Sequence, residues 1–236
     1  MIFAAGLGTR LRPLTNDRPK ALVAYGGKTL LQRVIERMKE VGVERLVINV
    51  CHYADQIIDF LREHDNFQLD IQVSDERDLL LDTGGGLRKA REWFLPGQPV
   101  LIHNVDILTD VNLGTLIRQY ERQAAYAMLV IKRSEADRVL RFDAAGILRG
   151  WENRITGEQK IVNTGFHEAE AFHYCGIQIL SPAYWQNMIL SGVFSIIDEH
   201  LAQAKYHSIS SFLHEGVCLD LGTPEAIQQA AAHFAR

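Results

Sequence analysis

Apolar segments of two kinds alternate through the first half of this chain, and that alternation restricts the fold more than any other feature. Apolar runs at Ile2–Ala5, Leu46–Val50 and Val100–Ile102 have the length and composition of strands buried on both faces. Between them Leu30, Leu31, Val34, Ile35, Met38 and Val41 recur at helical spacing until Gly42 stops the pattern. Ala54, Ile57, Ile58 and Leu61 repeat that spacing, Leu69, Ile71 and Val73 alternate as a strand, and Gly86 to Phe94 turns helical again. Leu113, Leu116, Ile117 and Tyr120 mark a further helix. A strand reaches a parallel neighbour only through a crossover, so this order predicts a doubly wound, mostly parallel, Rossmann-like α/β sheet. Ligands of such sheets collect at the C-terminal ends of the strands.

The texture changes near Ala127. Val139–Phe142 and Leu148–Trp151 flank Asp143-Ala144-Ala145-Gly146, a hairpin signal, and mixed strands and short helices then lead to a last helix starting near Thr223. No repeat, low-complexity tract or Pro/Gly-rich linker interrupts the 236 residues. We therefore expect one domain over residues 1–236, with a first half to about 125 and a β-rich lobe from about 126 onward. Met1-Ile2-Phe3 reads as the end of a strand whose beginning lies upstream of the given sequence.

The formal net charge of −4 offers no general basic field for nucleic acid. No apolar run approaches the roughly 20 residues that span a bilayer, and Arg10 and the early glycines interrupt any signal-peptide core. Cys51, Cys175 and Cys218 are odd in number and lack a C-x-x-C pair, which predicts reduced thiols in a cytoplasmic protein. The nine histidines show no metal-ligand spacing.

Directly after the first strand stands Ala4-Ala5-Gly6-Leu7-Gly8-Thr9-Arg10-Leu11-Arg12-Pro13-Leu14-Thr15, followed by Pro19-Lys20. Closely spaced glycines let backbone N–H groups approach a phosphate chain, and Arg10 and Lys20 add fixed positive charge. The loop lacks the Gly-Lys-Ser/Thr of a Walker A motif, and Leu11 stands where a dinucleotide fingerprint needs its third glycine, which argues against an NAD-dependent oxidoreductase. Three further motifs follow: Asp82-Thr83-Gly84-Gly85-Gly86 at a helix start, His103-Asn104-Val105-Asp106 after a buried strand, and Asp220-Leu221-Gly222-Thr223-Pro224-Glu225 near the C-terminus. A carboxylate at a strand end, as at Asp106, suits a hard, oxygen-seeking cation. Standing alone, the glycine run is equally a loop capped by Thr83, and Asp220 an edge residue ahead of a helix that Pro224 begins.

In this order the four motifs resemble those of the sugar nucleotidyltransferases, and the resemblance covers nearly the whole chain. It implies that Ala4, Ala5, Gly6, Gly8, Thr9, Arg10 and Lys20 hold a nucleoside triphosphate, with Arg10 toward the departing pyrophosphate and Lys20 toward the α-phosphate. It implies that Thr83 and Gly84 contact the base through backbone groups, and that Asp106 and Asp220 bind Mg2+. Arg10, Lys20 and Asp106 thereby become the expected catalytic residues. Asn104, Glu152, Cys175 and Gly176 become the expected sugar contacts, although Trp151-Glu152-Asn153 and Tyr174-Cys175-Gly176-Ile177 serve equally as plain scaffold. Val105 departs from the family's glycine, and Tyr174 from its usual Asn. A non-catalytic relative would be expected to lose an aspartate or a cation of this set, and none is lost here.

Among shorter members the chain is most similar to N-acetylmuramate-1-phosphate uridylyltransferases, through Asp82 to Gly86 and the aromatic Tyr174. That similarity implies UTP and N-acetylmuramate α-1-phosphate as partners in cell-wall sugar recycling, with mannose 1-phosphate and GTP as the alternative. The lactyl carboxylate of such a sugar calls for a cation, and Arg149, Arg154 and Lys160 are candidates, each of which is otherwise a solvated surface charge.

Overall fold

A two-residue first strand persists because neighbours enclose it on both sides. In the computed structural model, which describes residues 1–234, β1 (Ile2–Phe3), β2 (Arg45–Val50), β3 (Asp70–Asp75) and β4 (Val100–Asn104) are parallel, in the spatial order β3-β2-β1-β4. Alternation along each strand divides the core. Ile2, Leu46 and Ile48 pack with Leu31, Ile35 and Met38 of α1 (Leu30–Glu40) and Ile57 of α2 (Ala54–Glu63). Phe3 and Val47 pack on the other side with Leu87 and Ala90 of α3 (Asp82–Ala90). Helices thus cover both faces, as the sequence predicts. Ile2, Leu31, Ile35 and Ile48 are fully buried, each contributing about 1.5–3 kcal/mol relative to exposure. Thr29 caps α1 by accepting from the Gln32 amide at 3.1 Å.

Helix α3 begins at Asp82, four residues before the apolar pattern indicates, and takes Gly84, Gly85 and Gly86 into its first turns. Tertiary packing outweighs the poor helix propensity of glycine here. A Cβ on Gly84 would stand 2.4 Å from the Phe194 ring, and one on Gly85 would stand 2.4 Å from the Gly192 carbonyl.

After α4 (Leu113–Gln123) the chain forms β5 (Ala127–Lys132), β6 (Arg138–Phe142), β7 (Leu148–Asn153), β8 (Gln159–Ile161), β9 (Glu170–Leu180) and β10 (Ile209–Leu213). The β6–β7 turn is the expected hairpin, with Asp143 accepting from the Ala145 and Ile147 amides. Strand β9 joins the two halves. Its end pairs antiparallel with β4 and its beginning antiparallel with β6, so one ten-stranded sheet runs β8-β7-β6-β9-β4-β1-β2-β3, with β5 attached beside β9 and β10 beside β5. Helices α5 (Pro182–Gln186) and α6 (Ile196–Gln203) lie on the α3 side, and α7 (Pro224–Phe234) contributes Ala230 to the α1 side. A short antiparallel ribbon of Ile107–Thr109 with Cys218–Asp220 crosses the ends of the parallel strands. No helix among the described residues is long and apolar enough to cross a membrane.

Candidate active site

The turn after β1 carries the glycine loop over the C-terminal edge of the parallel strands. Gly8 adopts φ +65°, and its carbonyl accepts from the Thr15 hydroxyl at 2.8 Å, which closes the loop on itself. Lys20 passes beneath. A Cβ on Gly6 would lie 2.9 Å from Lys20 Nζ, so glycine at this position leaves room for the ammonium. That ammonium donates to Asp106 Oδ2 at 2.7 Å, in a pair whose side chains are only 17% and 11% exposed.

Asp106 follows β4 by two residues, and the ribbon brings Asp220 to it. Asp220 lies opposite Ile107, and the Leu221 amide donates to the Asp106 carbonyl at 2.8 Å. Asp220 Oδ1 accepts from the Gly222 amide at 2.8 Å, while Oδ2 faces Arg10 Nη2 at 3.4 Å. A Cβ on Gly222 would approach the Arg10 guanidinium to 2.7 Å. Ala5, Gly6, Arg10, Lys20, Thr83, Asn104, Asp106 and Asp220 line one cavity of about 410 Å³. Gly8 and Thr9 stay outside its lining and shape the loop.

Two hard carboxylates with charged partners suit a small divalent cation. Among the described residues no cluster of three or more His, Cys, Asp or Glu side chains could hold a metal alone. A cation between Asp106 and Asp220 would therefore take its other ligands from phosphate oxygens and water, the usual arrangement for Mg2+.

Sequence reasoning missed Asn49 and Glu76, which also line the cavity. Asn49 Oδ1 accepts from the Ala4 amide at 2.7 Å, and its Nδ2 donates to Glu76 Oε1 at 2.8 Å. Glu76 Oε2 accepts from the Leu81 amide at 3.1 Å. Glu76 is 1% exposed, and burial raises its carboxyl above the ordinary range. A Cβ on Gly86 would sit 2.7 Å from Glu76 Oε1, so that glycine serves the carboxylate. The one available signal was a polar Asn inside the apolar run Leu46–Val50.

Gly84 departs from its expected role. Its N–H and that of Gly85 both donate to the Phe194 carbonyl, at 2.9 and 3.2 Å, and so are not offered to a base. Thr83 lines the cavity while its hydroxyl accepts from the Ile196 amide at 2.9 Å.

Two expected sugar contacts point elsewhere. Cys175 has its side chain fully buried with Val130, Ile177 and Leu116, away from the cavity. Glu152 accepts from Arg141 Nε at 2.9 Å on the face of β7 opposite Trp151, because neighbouring strand residues face opposite ways. Gly176, at φ +66°, makes room for Asn104: a Cβ there would stand 2.9 Å from Asn104 Nδ2. Along the same strand Tyr174 borders a second cavity of about 400 Å³ that Trp151, Asn153 and Ser195 also line. Of the lobe cations expected at the sugar, Arg149 is held by Asp143 at 2.8 Å and Arg154 faces Glu135 at 3.6 Å. Lys160 does line this cavity, paired with Asp198 at 2.7 Å.

A glycine-rich turn on a doubly wound sheet, facing paired carboxylates and cations, is an arrangement suited to nucleotidyl transfer. The chain belongs to the Nucleotidyl transferase family, whose pattern matches residues 1–236. It is similar to the N-acetylmuramate alpha-1-phosphate uridylyltransferase of Caulobacter vibrioides, 43% identical over 119 residues. That match spans 50% of this chain and 49% of the relative, about half its length. The enzyme of the same name from Neisseria meningitidis serogroup B is 28% identical over 98% of this chain and 96% of its own. Among solved structures, HddC from Yersinia pseudotuberculosis, crystallised with GMP-PN, superposes with a TM-score of 0.77 at 23% identity. That superposition covers 99% of this chain and 97% of HddC, and it supports the fold.

Proposed function

We propose that the protein joins UTP to N-acetylmuramate α-1-phosphate, releasing pyrophosphate and leaving a UDP-sugar, as a cytoplasmic enzyme of cell-wall sugar recycling. The observation that carries this reading is the convergence of Arg10, Lys20, Asp106 and Asp220, from separate segments, on one cavity. Such a site has little covalent chemistry to perform. A sugar phosphate oxygen attacks the α-phosphorus in line, the new P–O bond forms, and the α–β bridging bond breaks with its electrons leaving on pyrophosphate. A phosphate monoester near neutral pH is already an anionic nucleophile, so no general base is needed. The site must instead offset repulsion between two anions and hold them aligned.

The loop after Ala4, whose own N–H stays on Asn49, presents backbone N–H groups to the triphosphate, with Lys20 toward the α-phosphate and Arg10 toward the leaving pyrophosphate. Mg2+ held by Asp106 and Asp220 would neutralise phosphate charge at the reacting centre. Residues to about 125 hold the nucleotide and the later lobe holds the sugar.

Glu76 suits the base. A buried carboxylate with both oxygens fixed accepts from the N3–H of uracil or the N1–H of guanine, whereas cytosine and adenine present acceptors at the corresponding edge. Relatives named for N-acetylmuramate favour uracil, and GTP with mannose 1-phosphate is the alternative. A pyrophosphate-release panel tests the choice, with four triphosphates against N-acetylmuramate, mannose and glucose 1-phosphates. The highest kcat/KM is expected for UTP with N-acetylmuramate 1-phosphate. A maximum at GTP with mannose 1-phosphate would replace this reading with the alternative.

A further inference from the structure

Strand register in the lobe places a set of side chains on one face that the catalytic cavity does not include. Arg138 lies opposite Asn153, Leu140 opposite Trp151, and Trp151 opposite Lys160, so these residues project together toward the N-terminal end of α6. They line the cavity of about 400 Å³ together with Ser195 and Asp198, and Arg138 and Lys160 are exposed there.

The cavity adjoins the catalytic one in two ways. Gly176 backs Asn104 in the catalytic cavity, and Tyr174 lines the lobe cavity two residues away, about 7 Å along the strand. The segment before α6 also serves both, through Val193 on one side and Ser195 on the other.

Charge distinguishes one residue on this face. The other lobe arginines among the described residues are each committed to a carboxylate: Arg133 to Glu170, Arg141 to Glu152, Arg149 to Asp143 and Arg154 to Glu135. Lys160 is committed to Asp198 and lies over the Trp151 ring at 5.1 Å. Arg138 takes part in none of the ion pairs among the described residues, and the remaining acid at the cavity, Glu158, is exposed at its rim. A guanidinium left open beside an aromatic platform next to a sugar-phosphate site is matched to a carboxylate on the sugar.

We propose that Arg138 is the specificity residue for the sugar, binding the carboxylate of an acidic ether substituent. This rests on the reading of the enzyme as a sugar-1-phosphate uridylyltransferase, and it assigns to Arg138 the role that the sequence suggested for Arg149, Arg154 or Lys160.

The test compares wild type, Arg138→Ala and Arg138→Lys on three ligands. These are N-acetylmuramate 1-phosphate, its lactyl amide, and N-acetylglucosamine 1-phosphate, with Ki replacing kcat/KM for a ligand that is bound but not turned over. Loss of a charge-assisted bond is about ten- to a hundredfold. Arg138→Ala should lose that factor on the acidic sugar and stay within about threefold on the two neutral ones, with part of the loss restored in Arg138→Lys. Amidation should weaken the wild type by a similar factor and leave Arg138→Ala unaffected. Equal losses on all three sugars, or none, would overturn the assignment to Arg138 while leaving the enzyme's substrate intact. Wild type that ignores N-acetylmuramate 1-phosphate yet uses a neutral sugar phosphate would overturn the substrate reading and the Arg138 assignment together.

Discussion

Replacing Asn49 by leucine removes the tether of the glycine loop at nearly constant volume. Asn49 is 3% exposed and bridges the Ala4 amide at 2.7 Å to Glu76 Oε1 at 2.8 Å. Leucine leaves the amide without its acceptor, and the carboxylate, itself 1% exposed, without one donor. Each buried orphan costs about 1–3 kcal/mol, so the substitution should destabilise by roughly 2–6 kcal/mol, against a typical total of about 5–15. Urea denaturation should show this as a lower midpoint at unchanged slope. The coupling between Asn49→Leu and Glu76→Gln in a double-mutant cycle should be about 1–3 kcal/mol, because the two groups share one bond. The KM for the triphosphate should also rise several-fold, since Ala4 leads directly into the phosphate loop. A stability loss below about 0.5 kcal/mol with an unchanged KM would refute the claim that this network anchors the loop.

Further substitutions address the charges. Asp106→Asn and Asp220→Asn should each lower kcat at least about a hundredfold at fixed Mg2+, and turnover within tenfold of wild type would remove that aspartate from the metal site. Arg10→Ala should lower kcat more than it raises the KM for the triphosphate, because its contact strengthens as pyrophosphate departs; a change confined to KM would make Arg10 a binding residue only. Burial holds His103 near a pKa of about 4 and His200 near about 3, against 6.5 when unfolded. Both stay neutral in the native state, so below pH 6.5 the unfolded state takes up protons that the folded state does not, and stability falls down to about pH 4. The slope contributed approaches two protons, about 2.7 kcal/mol per pH unit, and His200→Gln should remove about half of it in urea melts between pH 6.5 and 5. An unchanged slope would show that His200 is protonated in the native state.

Much of the parallel half was legible because its signals are local. Apolar strands, amphipathic helices and the glycine loop each reveal themselves within a dozen residues, and Asp106 and Asp220 stand beside the strand end and helix start that position them. The Asn49 network was not legible, since Ala4 and Glu76 lie 45 and 27 residues away and no local pattern links them. Glu152 was misread, and Arg138 passed over, for a different reason. Side chains on a strand alternate, so one residue of uncertainty in register exchanges the cavity face for the opposite one. The β6–β7 pairing itself shifts between Leu148 and Gly150. At Gly84–Gly86 the resemblance implied backbone contacts to a base, whereas the close neighbours of these glycines are Phe194, Gly192 and Glu76.

The central claim is attack on the α-phosphorus at the cavity of Arg10, Lys20, Asp106 and Asp220. Incubating the enzyme with Mg2+, N-acetylmuramate 1-phosphate and UTP labelled at the α-phosphorus tests it most directly. The label should appear in a UDP-sugar at the same rate as unlabelled pyrophosphate, and both signals should vanish in Asp106→Asn. Label recovered in UDP or UMP with no sugar attached, or a product unaffected by the loss of Asp106, would contradict the account.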